Sequence, residues 1–213
     1  MEYVARISSP LSEAWPSWMM LGLLFCLVLG EKLQPNTLSA AFRTSLTQLE
    51  RTYGDRATNL YGLISLNVFR VGTLAMTLYA FTYSRASFSI LVFLCIALGV
   101  IGFVMLKSFV SWLISYTFDL RRATVLFAPQ YDNIWTILCV LLYPVTLLHM
   151  NIGGHVLQWV LLALTLLFVI LTAFKLWQYY FSAGLSWLYL TVYIVTLEIL
   201  PLGAIWYAAG VFT

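Results

Sequence analysis

The chain has 213 residues, of which 62% are hydrophobic and 9% charged, with a formal net charge of +3. A soluble domain is about 45 to 50% apolar and about 25% charged, so a water-soluble globule of this size is excluded. No run of Lys or Arg offers a nucleic-acid surface, and nucleic acid is not an expected partner.

The apolar residues fall in blocks, and about 18 or more of them in succession can cross the roughly 30 Å hydrocarbon layer as a helix. Residues 1–10 lack the basic start and cleavage site of a secretory leader, so the first block, 15–30, is expected to be a retained span. Trp15 and Trp18 stand at one end of it, and Glu31 and Lys32 close it. In the polar stretch that follows, Leu38, Phe42, Leu46, Leu49 and Tyr53 recur at spacings of three and four. This pattern predicts an amphipathic interfacial helix over 37–53, capped by Asn36 and ended by Gly54.

The second span is expected at 61–83, with Asn67 and Arg70 inside it, and the third at 88–108. The apolar run of the third continues to Phe118, so that helix either tilts or projects, or lays its last turns from Ser108 along the interface, with Lys107 as an interface anchor whose stem lies in lipid. Asp119, Arg121, Arg122, Pro129, Asp132 and Asn133 read as a polar connection before a fourth span at 134–148, which Pro144 kinks. A tight turn from His149 to His155 leads to a fifth span at 156–176, and the sixth, 185–210, contains Glu198 and Pro201. The expectation is an all-α, polytopic transmembrane bundle of about six spans in a single domain.

Orientation follows from the excess of Lys and Arg on cytoplasmic loops. The connections after spans one, three and five hold Lys32, Arg43, Arg51, Arg56, Arg121, Arg122 and Lys175, whereas the other side holds Arg6 and Arg85. Both termini are thereby expected outside the cytoplasm.

Glu198 is the one acidic residue inside these six spans. A charge at the centre of a membrane helix costs about 2.5 to 3.5 kcal/mol, so this carboxyl needs protonation, a partner or a wet cavity. Pro201, three residues on, leaves the carbonyl of Leu197 unpaired and weakens the helix there. Counted from the cytoplasmic ends of their spans at about 1.5 Å per residue, Arg70 lies about 13 Å deep and Glu198 about 20 Å. Two long side chains bridge the difference, and an Arg70 to Glu198 pair is expected, supported by Asn67 one turn away. Such a pair either fixes helix register and partner choice or serves as a proton or ion relay, and the remaining alternative is that Glu198 pairs with a residue of another subunit.

His149 and His155 are six residues apart with no third ligand nearby, a poor basis for metal or haem. Cys26, Cys95 and Cys139 are isolated in apolar runs and read as buried or lipid-facing thiols. The sequence has no phosphate-binding Gly loop, zinc-protease His-Glu pattern or nucleophile elbow, and no catalytic residue or cofactor is expected.

Tyr193 followed by Glu198, Ile199, Leu200 and Pro201 resembles the ending of a family of small polytopic inner-membrane proteins of unknown function from Bacteroidota, and the Arg within span two and the basic residues before span four fit the same family. The resemblance implies a bacterial inner membrane with a periplasmic outside and supplies no activity. The expected function is a non-enzymatic subunit or scaffold of a cell-envelope complex, docking other membrane subunits through 37–53. The rivals are a small transporter or proton-coupled channel using Glu198 and Arg70, and a lipid-modifying or lipid-binding protein.

Overall fold

The computed structural model describes residues 14–35, 37–39, 42, 60–82, 90–117, 121–152 and 155–178, together with Thr191 and Val195. Five long helices account for most of them: α1 Ala14–Leu33, α2 Leu60–Thr82, α3 Ile90–Thr117, α4 Arg121–Ile152 and α5 His155–Leu176. All five are long and apolar enough to cross a membrane. The protein is an all-α, multi-pass membrane bundle. The expected sixth span with Glu198 and Pro201, and most of the expected interfacial helix with Asn36, lie outside the described residues.

Consecutive helices run antiparallel, so α2 and α4 are parallel and sit side by side. Just over half of the membrane-crossing window of α2 and of α4 is buried (56% each), against 22%, 17% and 22% for α1, α3 and α5. Helix α2 packs on α1, α4 and α3, and α5 packs on α4. The core follows from this arrangement. Phe69, Met76 and Tyr79 of α2 meet Met20 and Leu23 of α1, Phe93 and Val100 of α3, and Cys139 and Met150 of α4. A smaller cluster joins Leu138 and Leu142 of α4 to Leu161 of α5.

The α1–α2 contact is close because glycine permits it, as small residues do between membrane helices. A Cβ on Gly30 would stand 2.8 Å from Leu66 Cγ, and one on Gly62 would stand 2.8 Å from Gln34 Cγ. Across the same seam, Ser65 Oγ donates to the Cys26 carbonyl at 2.7 Å. Where α1 ends, Glu31 Oε2 accepts the Leu38 amide at 3.0 Å, satisfying one backbone donor at the start of the next helical turn.

Two boundaries differ from the sequence reading. Helix α3 continues to Thr117 and α4 begins at Arg121, so Asp132 and Asn133 belong to a helix and not to a connection. Proline forbids only one helical bond, here to the Val125 carbonyl, and contacts made by Tyr131, Asp132 and Thr136 hold the turns beyond it. At about 1.5 Å per residue, α3 and α4 are about 42 and 48 Å long, which exceeds what a tilt of up to 40° fits within about 30 Å of hydrocarbon. Their ends therefore project.

His149, expected at the turn, is a buried residue inside α4, and only residues 153–154 separate α4 from α5. At the far end of the bundle, Trp15 packs on Tyr79 and Phe93, ring centroids 5.7 and 5.8 Å away. That indole is part of the packing between α1, α2 and α3.

Candidate functional site

On α2, residues 66, 70, 73, 77 and 80 recur at steps of four and three, and on α4 residues 132, 136, 139, 143 and 146 do the same. This is the spacing that keeps one face of a helix on a neighbouring helix. The two faces meet along a seam rich in hydroxyls, with the arginine and an acid toward one end.

Arg70 is buried, and its side chain leans toward the N-terminal end of its own helix, as side chains on helices do. That direction carries the guanidinium to a group of acceptors. Arg70 Nε donates to Thr136 Oγ1 at 2.9 Å, and Nη1 donates to Asn67 Oδ1 at 3.1 Å. Nη1 also lies 3.4 Å from Asp132 Oδ1, forming an ion pair in which the Arg70 side chain is 7% exposed and that of Asp132 is 54% exposed. Thr136 Oγ1 in turn donates to the Asp132 carbonyl at 2.7 Å, tying the acceptor hydroxyl to the turn that carries the acid.

The arrangement sets a buried cation behind a carboxylate at the mouth of the seam. Asp132 lies about 6 Å inside the membrane-crossing window that begins at Ala128, at about 1.5 Å per residue. Cys139 Sγ lies 3.6 Å from the Arg70 carbonyl, so the Arg70 backbone is level with Cys139, and the side chain reaches back almost two turns to its partner. Beyond it, Thr77 Oγ1 donates to the Thr73 carbonyl at 2.8 Å and accepts from Thr146 Oγ1 at 2.8 Å. The Tyr143 hydroxyl donates to the Met20 carbonyl at 2.9 Å and binds α1 to the same assembly.

Lys107, expected to anchor the interface, is buried on α3. Its Nζ donates to the Tyr131 hydroxyl at 2.7 Å and lies 4.0 Å from the centroid of that ring, a combined hydrogen-bond and cation–π contact between α3 and α4. Glu198 and Pro201 lie outside the described residues. His149 and His155 fall on different helices, and among the described residues no group of three His, Cys, Asp or Glu side chains could hold a metal ion.

The sequence reading missed Asp132, Thr136, Tyr131 and the Thr77 to Thr146 contact. The signal for most of them was present in the four-three spacing on α4, once residues 129–133 are allowed to be helical.

Buried charge between apolar helices that expose their outer faces to hydrocarbon defines a polytopic integral membrane protein. The chain belongs to the family described as a domain of unknown function, DUF4271, whose family model matches residues 17–209. No curated protein and no solved structure matches it.

Proposed function

We propose that this chain is a non-enzymatic subunit or scaffold of a bacterial cell-envelope membrane complex. The observation that carries this reading is how the polar groups of the α2–α4 seam are used: Arg70 is engaged by Asp132, Asn67 and Thr136, and Thr77 by Thr146. Polar groups committed to one another fix register between helices. The frame they make supports α1, α3 and α5, whose outward faces are apolar and open to lipid or to neighbouring helices. Residues 37–53 would dock a partner at the cytoplasmic surface.

In this reading the membrane is the inner membrane of a member of the Bacteroidota, with both termini periplasmic. The basic residues Lys32, Arg121, Arg122 and Lys175 all stand at the same end of the bundle, which supports placing that end in the cytoplasm. A reporter fused to the carboxyl end is expected to be active in the periplasm, and activity restricted to the cytoplasm would overturn the orientation. Purification from native membranes in gentle detergent is expected to recover stoichiometric membrane-protein partners. A lone monomer would count against the scaffold.

A second reading is a proton-coupled transporter using Glu198 and Arg70. It is favoured by the half-exposed Asp132 carboxylate beside a buried guanidinium, since two acids competing for one arginine would couple protonation to helix movement. Glu198→Gln would then leave assembly intact and abolish flux in liposomes. Absence of flux with the unaltered protein would end this reading.

A further inference from the structure

We infer that an opening between α2 and α3, backed by α4 at Asp132, seats a phospholipid with a primary ammonium head, phosphatidylethanolamine. The ammonium rests on the Asp132 carboxylate and an acyl chain lies between the two helices. On α2, Ile64, Val68, Ala75 and Tyr79 follow at steps of four and seven and share one face. The two ends of that face have different surroundings. Ala75 and Tyr79 are fully buried, and the Tyr79 ring meets that of Phe93 on α3 with centroids 6.0 Å apart. Ile64 and Val68, toward the other end, are 51% and 49% exposed.

Helix α3 has left α2 by that level. Lys107 holds it on α4 instead, its Nζ reaching the Tyr131 hydroxyl at 2.7 Å. Two contacts between α2 and α4, Arg70 with Cys139 and Thr77 with Thr146, each join residues 69 apart, so Tyr131 is level with Gly62 and Asp132 with Leu63. The Lys107 contact and the exposed Ile64 therefore lie within one turn of each other along the bundle. A helix that touches α2 at one end and α4 at the other leaves an opening between itself and α2, with α4 as the back wall.

The mouth of this opening is polar and its depth apolar. Asp132 is half-exposed there; its Oδ1 faces Arg70, and its Oδ2 makes no hydrogen bond among the described residues. Asn67 is exposed on α2. Because a guanidinium only donates, the bond from Arg70 Nη1 commits the Asn67 Oδ1 and leaves Nδ2 to donate elsewhere. Val68 stands about five residues deeper than Asp132 in this register, about 7 Å at about 1.5 Å per residue.

Depth and charge identify the ligand. The membrane-crossing window of α4, Ala128–Asn151, has 24 residues, about 36 Å against about 30 Å of hydrocarbon. Asp132 lies about 6 Å from the Ala128 end, and its side chain leans further that way, so the carboxylate stands at the hydrocarbon edge, within reach of a headgroup. A carboxylate oxygen beside an amide N–H accepts from an ammonium and donates to a phosphate, the two ends of a zwitterionic head, while Ile64 and Val68 face a chain. Choline has no N–H to give, and phosphatidylglycerol brings negative charge to an acid. Arg70, with its side chain 7% exposed behind Asp132, is not offered to an anion.

The test is native mass spectrometry of the full chain in mild detergent with equal amounts of phosphatidylethanolamine, phosphatidylcholine and phosphatidylglycerol of the same acyl chains. The unaltered protein is expected to retain phosphatidylethanolamine about tenfold over phosphatidylcholine, the worth of a charge-assisted hydrogen bond. Asp132→Asn should abolish that preference. Val68→Trp, which fills the opening without touching the ion pair, should lower retention whatever the head, and Leu21→Trp on the exposed face of α1 should change nothing. Free ethanolamine in excess, which has no chain to seat, should leave most of the lipid bound. Should Asp132→Asn fail to fold, the headgroup comparison in the unaltered protein and Val68→Trp decide. Equal retention of either other lipid, an unchanged preference in Asp132→Asn, wild-type retention in Val68→Trp or complete displacement by ethanolamine would each overturn the site. Loss of an oligomer or of a partner subunit in Val68→Trp, with lipid retention unchanged, would assign the opening to a protein helix instead.

Discussion

The two faces of α2 meet their neighbours by different means. Toward α1, glycines bring the backbones together: Gly30 sits against Leu66, and Gly72 against Leu23. Toward α4, the helices are joined by side chains that reach across, with Arg70, Thr136 and Asp132 at one level and Thr77 and Thr146 at another. Lipid tails are as apolar as leucine, so burial alone gives membrane helices little reason to associate. Close packing and interhelical polar contacts are the two remedies; close packing predominates toward α1, where the Ser65 to Cys26 hydrogen bond accompanies it, and polar contacts predominate toward α4. The first seam is sensitive to volume and the second to charge and hydrogen bonding.

That difference is most open to attack at the ion pair. Asp132→Leu leaves a buried guanidinium with two neutral acceptors, whereas Arg70→Leu leaves a carboxylate that is already half exposed. The acid variant should therefore be the more destabilised, by about 2 kcal/mol, less than the 3 to 5 kcal/mol of a fully buried pair because the Asp132 side chain is 54% exposed. Denaturant titration in bicelles measures both, and equal losses would show that the burial asymmetry has no energetic meaning.

On the opposite face the sensitive position is Gly30. Its Cβ would meet Leu66 Cγ and Cδ2 at 2.8 and 2.9 Å, and a branching carbon gives way less easily than the end of a side chain. Gly30→Ala is expected to cost about 1 to 2 kcal/mol, and Gly72→Ala, which meets chiefly the tip of Leu23, less. Recovery in Gly30→Ala combined with Leu66→Ala would locate the clash, and no recovery would mean that α1 and α2 separate elsewhere.

A smaller effect is expected at Tyr131. Tyr131→Phe removes the hydroxyl that accepts from Lys107 while keeping the ring beneath the ammonium, and should cost about 1 kcal/mol. Tyr131→Leu removes both interactions and should cost more. The same stability measurement distinguishes them, and identical losses would assign the contact wholly to the hydrogen bond.

The smallest effect belongs to the threonine pair. Thr77→Val and Thr146→Val should each cost about 0.6 kcal/mol, and the double variant should cost little more than either, because the hydroxyls serve each other. Additive losses would show that they act independently.

Much of the architecture was legible because hydrocarbon imposes a coarse code. The spans at 15–30, 61–83 and 156–176 stand out as apolar blocks, and the corresponding helices, Ala14–Leu33, Leu60–Thr82 and His155–Leu176, lie within a few residues of them. The start of α4 was hidden because Pro129, Asp132 and Asn133 are breakers and loop formers in water. Between membrane helices the same residues are retained in a helix by what they touch, here Arg70 and Lys107 through Asp132 and Tyr131. Treating 129–133 as a connection removed an acid from the inventory of the spans and left Glu198 as the obvious partner for Arg70. Buried polar contacts depend on rotation about two helix axes, which the order of residues suggests through four-three spacing but does not align.

Oxidative cross-linking in native membranes tests the α2–α4 seam most directly. With Cys26, Cys95 and Cys139 replaced by Ala, Thr77→Cys and Thr146→Cys in the same chain are expected to form a disulfide rapidly, because the two native hydroxyls are 2.8 Å apart. A chain in which this pair stays reduced, while Thr77→Cys joins a cysteine placed on the lipid-facing side of α3 or α5, would contradict the parallel pairing of α2 with α4.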